Sequence, residues 1–382
     1  MADTAPTPGE ATAATPPATG RRDVYVDFLR GFSLVVVVVW HWVFSIYYVG
    51  DGQFRATSVL QFSYALWPLT WVFQVMPLFF VVGGYVHRRT WHSIRARGGG
   101  YWSLVGGRAA RLVVPSLALI AGWVVLGLLA VAYYGDRDLV LSAVVIVLSP
   151  LWFIAVYLLL VVIAPPMVAL HDRFGPAVLV VLVGLAFVDD VLRFAHGAEW
   201  AAIANTLVVW AACHQLGFFW DRLVGGPRSW AAAFALGGGI TLFGLIETGF
   251  YPASMVGVPG DQISNMAPPT VALLGVCRLQ TGLAVLARPP LQRRLEAGGR
   301  WTRANELVNR FSMPLFLFHT TGMAIALYLL WKVFDYTPPA TVDLDWWLSR
   351  FLVLAAGIAV TIPIILLFGR RWTRPVPSAG ST

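Results

Sequence analysis

Eleven steps separate Arg30 from His41 in the first strongly apolar segment, which opens Asp27-Phe-Leu-Arg30-Gly and ends Trp40-His41-Trp42. At about 100° of turn per helical residue that interval is close to three full turns, so both side chains share one face, with the histidine about 16 Å deeper along the axis. Polar groups at such depth in a bilayer are costly and face a cavity, a partner or a substrate route. A neutral imidazole accepts a proton near physiological pH and hands it on, which suits general-base chemistry. The always-charged fork of Arg30 suits a phosphate or a carboxylate. Asp27, three residues before Arg30, offers it a simple ion pair instead.

Further basic and titratable groups surround this pair in the sequence. Arg108-Ala-Ala-Arg111-Leu-Val-Val-Pro115 puts two arginines one turn apart at a helix start, able to grip one anion together. Arg88, Arg89, Arg95 and Arg97 precede them and follow from membrane topology alone, since cytoplasmic loops are basic. Arg278 falls mid-span, where a charge costs about 2.5–3.5 kcal/mol, so it must face protein or water, either pairing with Glu247 of the preceding span or holding a ligand. His214 and His319 also fall inside spans, each serving either as a structural hydrogen-bond partner or in a site.

These residues must be positioned by membrane helices. The 382 residues are 58% hydrophobic and 12% charged, with a mean hydropathy of +0.70, which excludes an ordinary soluble domain. Apolar stretches of about 20 residues predict ten helices, over 28–49, 64–86, 112–134, 151–170, 175–195, 200–220, 229–250, 268–287, 312–333 and 346–369. With a cytoplasmic N-terminus, 20 of the 27 basic residues fall on the inner side, as the positive-inside rule requires. The net charge of +8 is therefore a topology signal, and no nucleic-acid partner is needed to explain it. The fold expected is all-α: a polytopic bundle of about ten transmembrane helices with both termini cytoplasmic. Residues 1–20, rich in Ala, Thr and Pro, read as a disordered tail, 21–372 as one membrane domain, and 373–382 as a short second tail. Arg21 and Arg22 before an apolar run without a small-residue cleavage site read as an uncleaved anchor. Pro150 should divide the uncharged run 139–170 into a short outer helix and the fourth span.

Cys213 and Cys277, the only cysteines, make no disulfide framework or zinc motif, and no metal is expected. Lys332, the only lysine, has no Gly-rich lead-in, so a P-loop is absent. Gly-x-Ser-x-Gly is absent too, and no histidine is followed five positions later by aspartate, which removes the soluble acyltransferase signatures.

Taken together, several segments resemble the acyltransferase 3 family of integral membrane O-acyltransferases. They are Asp27-Phe-Leu-Arg30-Gly31 with His41; Phe79-Phe80-Val-Val-Gly83-Gly84-Tyr85; Arg108-x-x-Arg111-Leu with Pro115; Leu151-Trp152-Phe153; and Phe311-Ser312-Met-Pro-Leu-Phe316-Leu-Phe-His319. They occur in family order from residue 23 to about 320. Gly83 replaces the serine usual in Phe-Phe-x-x-Ser-Gly, so no hydroxyl role carries over. Phe316 stands where a tyrosine often precedes the ninth-span histidine. The resemblance implies an acyl-CoA donor, typically acetyl-CoA, entering from the cytoplasm, with its phosphates on Arg30, Arg108 and Arg111, and His41 acting on an acceptor hydroxyl. It implies a multi-pass protein in contact with membrane lipids and a glycan, glycolipid or secreted-metabolite acceptor; arginine in place of lysine, with heavy Ala and Val use, suggests a GC-rich bacterium and hence the plasma membrane.

Ten spans with Arg278, Glu247 and His214 buried also fit a transporter or flippase for an anionic substrate, although no inverted repeat is visible. The acyltransferase reading further expects the His41 ring to face a solvent-accessible tunnel continuous with the cytosol and lined at its mouth by guanidinium groups. Asp189, Asp190, Glu199, Asp261 and Asn265 are polar groups of the outer loops available to an acceptor, without a role assigned to any.

Overall fold

The computed structural model describes residues 23–373, apart from 259–262, 338 and 340. The tail at 1–20, the tail at 373–382 beyond Thr373, and Asp261 lie outside the described residues.

The chain folds as helices α1 (Val24–Phe44), α2 (Leu69–Phe73), α3 (Met76–Ala96), α4 (Tyr101–Tyr134), α5 (Arg137–Leu148), α6 (Leu151–Phe174), α7 (Ala177–His196), α8 (Glu199–Leu216), α9 (Trp220–Gly225), α10 (Arg228–Glu247), α11 (Ala272–Glu296), α12 (Arg300–Phe334) and α13 (Leu344–Ile364). A hairpin, β1 (Ser45–Gly50) with β2 (Gln53–Ser58), follows α1. Among the described residues, eight helical segments are long and apolar enough to cross a membrane. Helices α7 and α11 occupy the positions of the fifth and eighth expected spans but are not among those eight. Charge accounts for α7, whose apolar run is cut by Asp189, Asp190 and Arg193. The protein is an all-α, multi-pass membrane protein.

Local chemistry sets the element ends. The Asp23 carboxylate caps α1 by accepting from the Tyr25 and Val26 amides at 3.0 and 3.1 Å, satisfying donors a helix start leaves free. The first helix, expected to run to 49, stops at Phe44 because the chain turns into the hairpin. Asp51 and Gly52 have φ of 51° and 71°, the pair of positive angles a two-residue turn needs to match strand twist.

The second expected span, 64–86, is broken. Short α2 ends at Phe73 and α3 restarts at Met76. The carbonyls freed there accept from one side chain of α11: Gln280 Nε2 donates to Trp71, Val72 and Gln74 at 3.0–3.1 Å. A break in a membrane helix survives only with such internal partners. Pro150 divides α5 from α6 as its sequence position predicts.

Where α3 crosses α8, Gly84 lies against the His214 carbonyl and Gly217 against the Val81 carbonyl, each so close that a methyl would overlap backbone. Small residues at helix crossings allow this approach. Gly84→Ala is therefore expected to lower the thermal unfolding midpoint of the purified protein, an overpacking cost of about 1–3 kcal/mol. Gly83→Ala, whose methyl meets only the Tyr157 ring edge at 3.3 Å, should change the midpoint little in the same measurement.

Candidate active site

Helix α1 packs along α12, and Arg30 and His41 both find partners on that neighbour. Near the cytoplasmic end expected from topology, Arg30 Nη2 donates to Asp27 Oδ1 at 2.7 Å and to Asn309 Oδ1 of α12 at 2.6 Å. Asn309 in turn donates to the Asp27 carbonyl and to Asn305. Three turns further on, His41 Nδ1 lies 2.8 Å from Nε2 of His319, again on α12, with the two rings parallel within 7°. The shared face of Arg30 and His41 is thus realised. Arg30 stands about 16 Å and Asp27 about 21 Å from the imidazole along the helix, too far to touch the same reacting atom.

The hydrogen bonds fix which nitrogens carry protons. His319 Nδ1 is 2.6 Å from the Phe316 carbonyl, and a carbonyl only accepts, so that nitrogen bears a hydrogen. In a neutral ring His319 Nε2 is then the acceptor, and the facing Nδ1 of His41 is the donor. Nε2 of His41 is left with the free lone pair and has no hydrogen-bond partner among the described residues. His319 is fully buried and His41 half-buried. Trp42 Nε1 donates to the His319 carbonyl at 3.0 Å and ties the two helices at the same level.

Next to this pair stands an aromatic wall. Phe316, one turn before His319, packs on Phe153 with ring centres 5.0 Å apart, and Phe79 meets Phe153 at 5.0 Å. Beyond it lies a second histidine pair: His87 Nδ1 is 3.0 Å from His214 Nε2, and Tyr157 Oη is 3.2 Å from His87 Nε2. Both rings are completely buried. His214 therefore has a histidine partner, His87, which sequence reasoning passed over; its position three residues after the Gly83-Gly84 crossing was the available signal.

A cleft of about 1020 Å³ opens at the Arg30 end of the bundle. Its walls include Arg30, Arg88, Arg89, Arg97 and His92, together with Asp23, Asp27 and Asp221. Arg88 donates to the Phe218 carbonyl at 3.1 Å and, more loosely, to Asp172 Oδ1 at 3.5 Å, Arg89 to Tyr85 Oη at 2.5 Å, and Arg97 to Ser93 Oγ at 2.9 Å, which leaves Arg89 and Arg97 donors for an incoming anion.

Arg108 and Arg111 are not among the walls of this cleft: Arg108 donates to Thr90 Oγ1 at 3.1 Å, and Arg111 is exposed. The cleft walls include Arg30 but not His41, and Leu34, on the α1 face between them, is buried. One expectation needs correction. Arg278 and Glu247 do not pair. The Arg278 guanidinium lies over the Phe234 ring at 5.0 Å, beside Gly237, while Glu247 is exposed near the far end of α10.

The outer-loop polar groups are partly committed to structure. Asp190 accepts from the Val271 amide at 2.8 Å, Tyr251 Oη at 3.1 Å and Asn205 Nδ2 at 2.8 Å, and burial pushes the Tyr251 phenol up. Asn265 donates to the Pro252 and Ser254 carbonyls. Both residues are 1% exposed or less, and neither is available to a ligand.

A multi-pass helical bundle with a half-buried imidazole braced by a second one, above a basic cleft, has the parts of a membrane group-transfer enzyme. The chain matches the acyltransferase domain of the acyltransferase 3 family over residues 23–370, nearly its whole length, and it belongs to that family. The protein is a membrane acyltransferase. Comparison with curated proteins and with solved structures gave no match.

Proposed function

We propose that the protein transfers an acyl group, acetyl in the simplest case, from acyl-CoA to a hydroxyl of a cell-envelope glycan, glycolipid or secreted metabolite, in the plasma membrane, with His41 as general base. The observation that carries this reading is the fixed tautomer: a lone pair on His41 Nε2, held in direction by the bond from Nδ1 to His319. His41 takes the proton of the acceptor hydroxyl as its oxygen attacks the thioester carbonyl. When the tetrahedral intermediate collapses, the carbon–sulfur bond breaks and His41 returns the proton to the departing thiolate, restoring the starting tautomer. His319 does not touch the reacting atoms; it is a positioning residue, as the third member of a nucleophile–base–orienter set is.

At the donor end, Arg30, Arg88, Arg89 and Arg97 supply charge-assisted bonds for the phosphates of CoA. Arg108 braces Thr90 of the same wall. The thin pantetheine arm then follows the α1 face past Leu34 to His41, and that residue must swing aside for the arm to pass. Paired substitution Arg88→Gln/Arg89→Gln is expected to raise KM for acetyl-CoA about tenfold or more, with kcat largely kept, because it removes binding rather than chemistry. The test of the reading as a whole is CoA release by the purified chain given acetyl-CoA with a membrane lipid and glycan extract. Absence of both acetyl-CoA binding and release would favour the transporter instead.

A further inference from the structure

Arg350 of α13 is the only lysine or arginine buried among the described residues, at 7% exposure. Arg30, Arg88 and Arg288 each have a carboxylate partner; Arg350 has none among the described residues. Its guanidinium lies over the Trp346 ring at 4.3 Å. Its polar contacts are neutral and weak: Nη2 to Ser349 Oγ at 3.1 Å and Tyr336 Oη at 3.4 Å, and Nε to Ser349 Oγ at 3.4 Å. Among the described residues Nη1 has no hydrogen-bond partner, and it is not sealed from the surface. A buried cation without an anion is strongly unfavourable unless something completes it.

Its place relates it to His41. Gly357 of α13 lies against the Trp42 ring, so that a methyl there would meet the ring at 3.3 Å, and Trp42 is next to His41 in the sequence. Arg350 is seven residues earlier on α13, hence on the same face and about 10 Å further from that level. The direction is away from the basic cleft, because the Phe44 ring at the far end of α1 meets Trp347 edge-on at 6.0 Å. Tyr47 and Tyr336 pack with Trp42 and Val353 in one apolar cluster between the two levels. The Thr341 hydroxyl and the Trp346 amide hold the Asp343 carboxyl below its usual range at the α13 N-cap, so that acid is engaged elsewhere.

We infer that Arg350 anchors the acceptor, and that the acceptor is anionic: a hydroxyl compound, a sugar in the simplest case, carrying a carboxylate or phosphate about 10 Å from the hydroxyl presented to His41. This rests on the acyl-transfer reading for its meaning, but the anion site is testable by itself. A planar fork stacked on an indole is built for a two-oxygen anion and would be wasted on a neutral sugar.

The test uses the full chain in neutral phosphatidylcholine nanodiscs, with Arg88→Gln/Arg89→Gln present throughout to weaken anion binding at the cleft. The thermal unfolding midpoint is followed against glucose, glucuronate and glucose 1-phosphate. An anionic sugar should raise the midpoint where glucose does not, and Arg350→Gln should shift the half-effective concentration up about tenfold or more. Arg350→Lys, which keeps a cation on Trp346 without the fork, should give an intermediate shift and serves if the glutamine variant fails to insert. A response to glucuronate alone identifies a carboxylate, and to glucose 1-phosphate alone a phosphate. Equal responses to all three sugars, or an anionic preference unchanged in both Arg350 variants, overturns the inference. No donor enters this assay, so failed CoA release would sink the acyl-transfer reading and leave the anion site standing.

Discussion

His41→Asn is expected to slow acetyl-CoA-dependent CoA release by about 10²–10⁴-fold while acetyl-CoA binding is kept. The asparagine amide nitrogen takes the place of Nδ1 and still donates to His319 Nε2, so the interhelical bond survives. What disappears is the lone pair that takes the acceptor proton, and general-base assistance is worth about that factor. The measurement is single-turnover CoA release alongside equilibrium acetyl-CoA binding, both on protein whose unfolding midpoint matches the parent. A rate within a few fold of the parent would remove His41 from the base role and return it to helix packing.

Substitutions at His319 test the tautomer itself. His319→Leu leaves nothing to accept from His41 Nδ1, so the His41 proton is free to sit on either nitrogen and the ring is free to rotate. The expected loss is on the order of 10²-fold in kcat, below the about 10⁴ seen when a wrong tautomer is enforced in a serine protease triad. His319→Gln keeps a carbonyl oxygen able to accept that proton and should recover at least about tenfold of the loss. A purely structural histidine predicts the opposite order or no difference, since leucine is the better core residue. Equal rates for the two variants at matched stability would therefore count against a positioning role.

Periodicity made the Arg30 and His41 face legible, because eleven residues close on three turns whatever the helix packs against. The identity of the facing partner was not legible: His319 lies 278 residues away, and only the antiparallel run of α12 along α1 brings Asn309 opposite Arg30 and His319 opposite His41. The basic cleft was hidden for a related reason. Arg88, Arg89 and Arg97 read as ordinary inner-loop charge, whereas α3 continues as helix to Ala96 and carries Arg88 and Arg89 into the cleft wall. The Asp51-Gly52 turn was written in the sequence, but the apolar run Ser45–Val49 before it reads equally as helix. The break before Met76 had no local signal strong enough, since it depends on Gln280 arriving from α11.

Arg278 bears on what keeps α11 in place. Among the described residues α11 is not one of the segments apolar enough to cross a membrane by composition, and a guanidinium at mid-depth costs about 2.5–3.5 kcal/mol. It packs tightly on α10 through Gly238, Gly275 and Gly282, and its guanidinium lies over Phe234 of that helix. The standing of α11 among the other helices is therefore owed to its neighbour more than to its own apolarity.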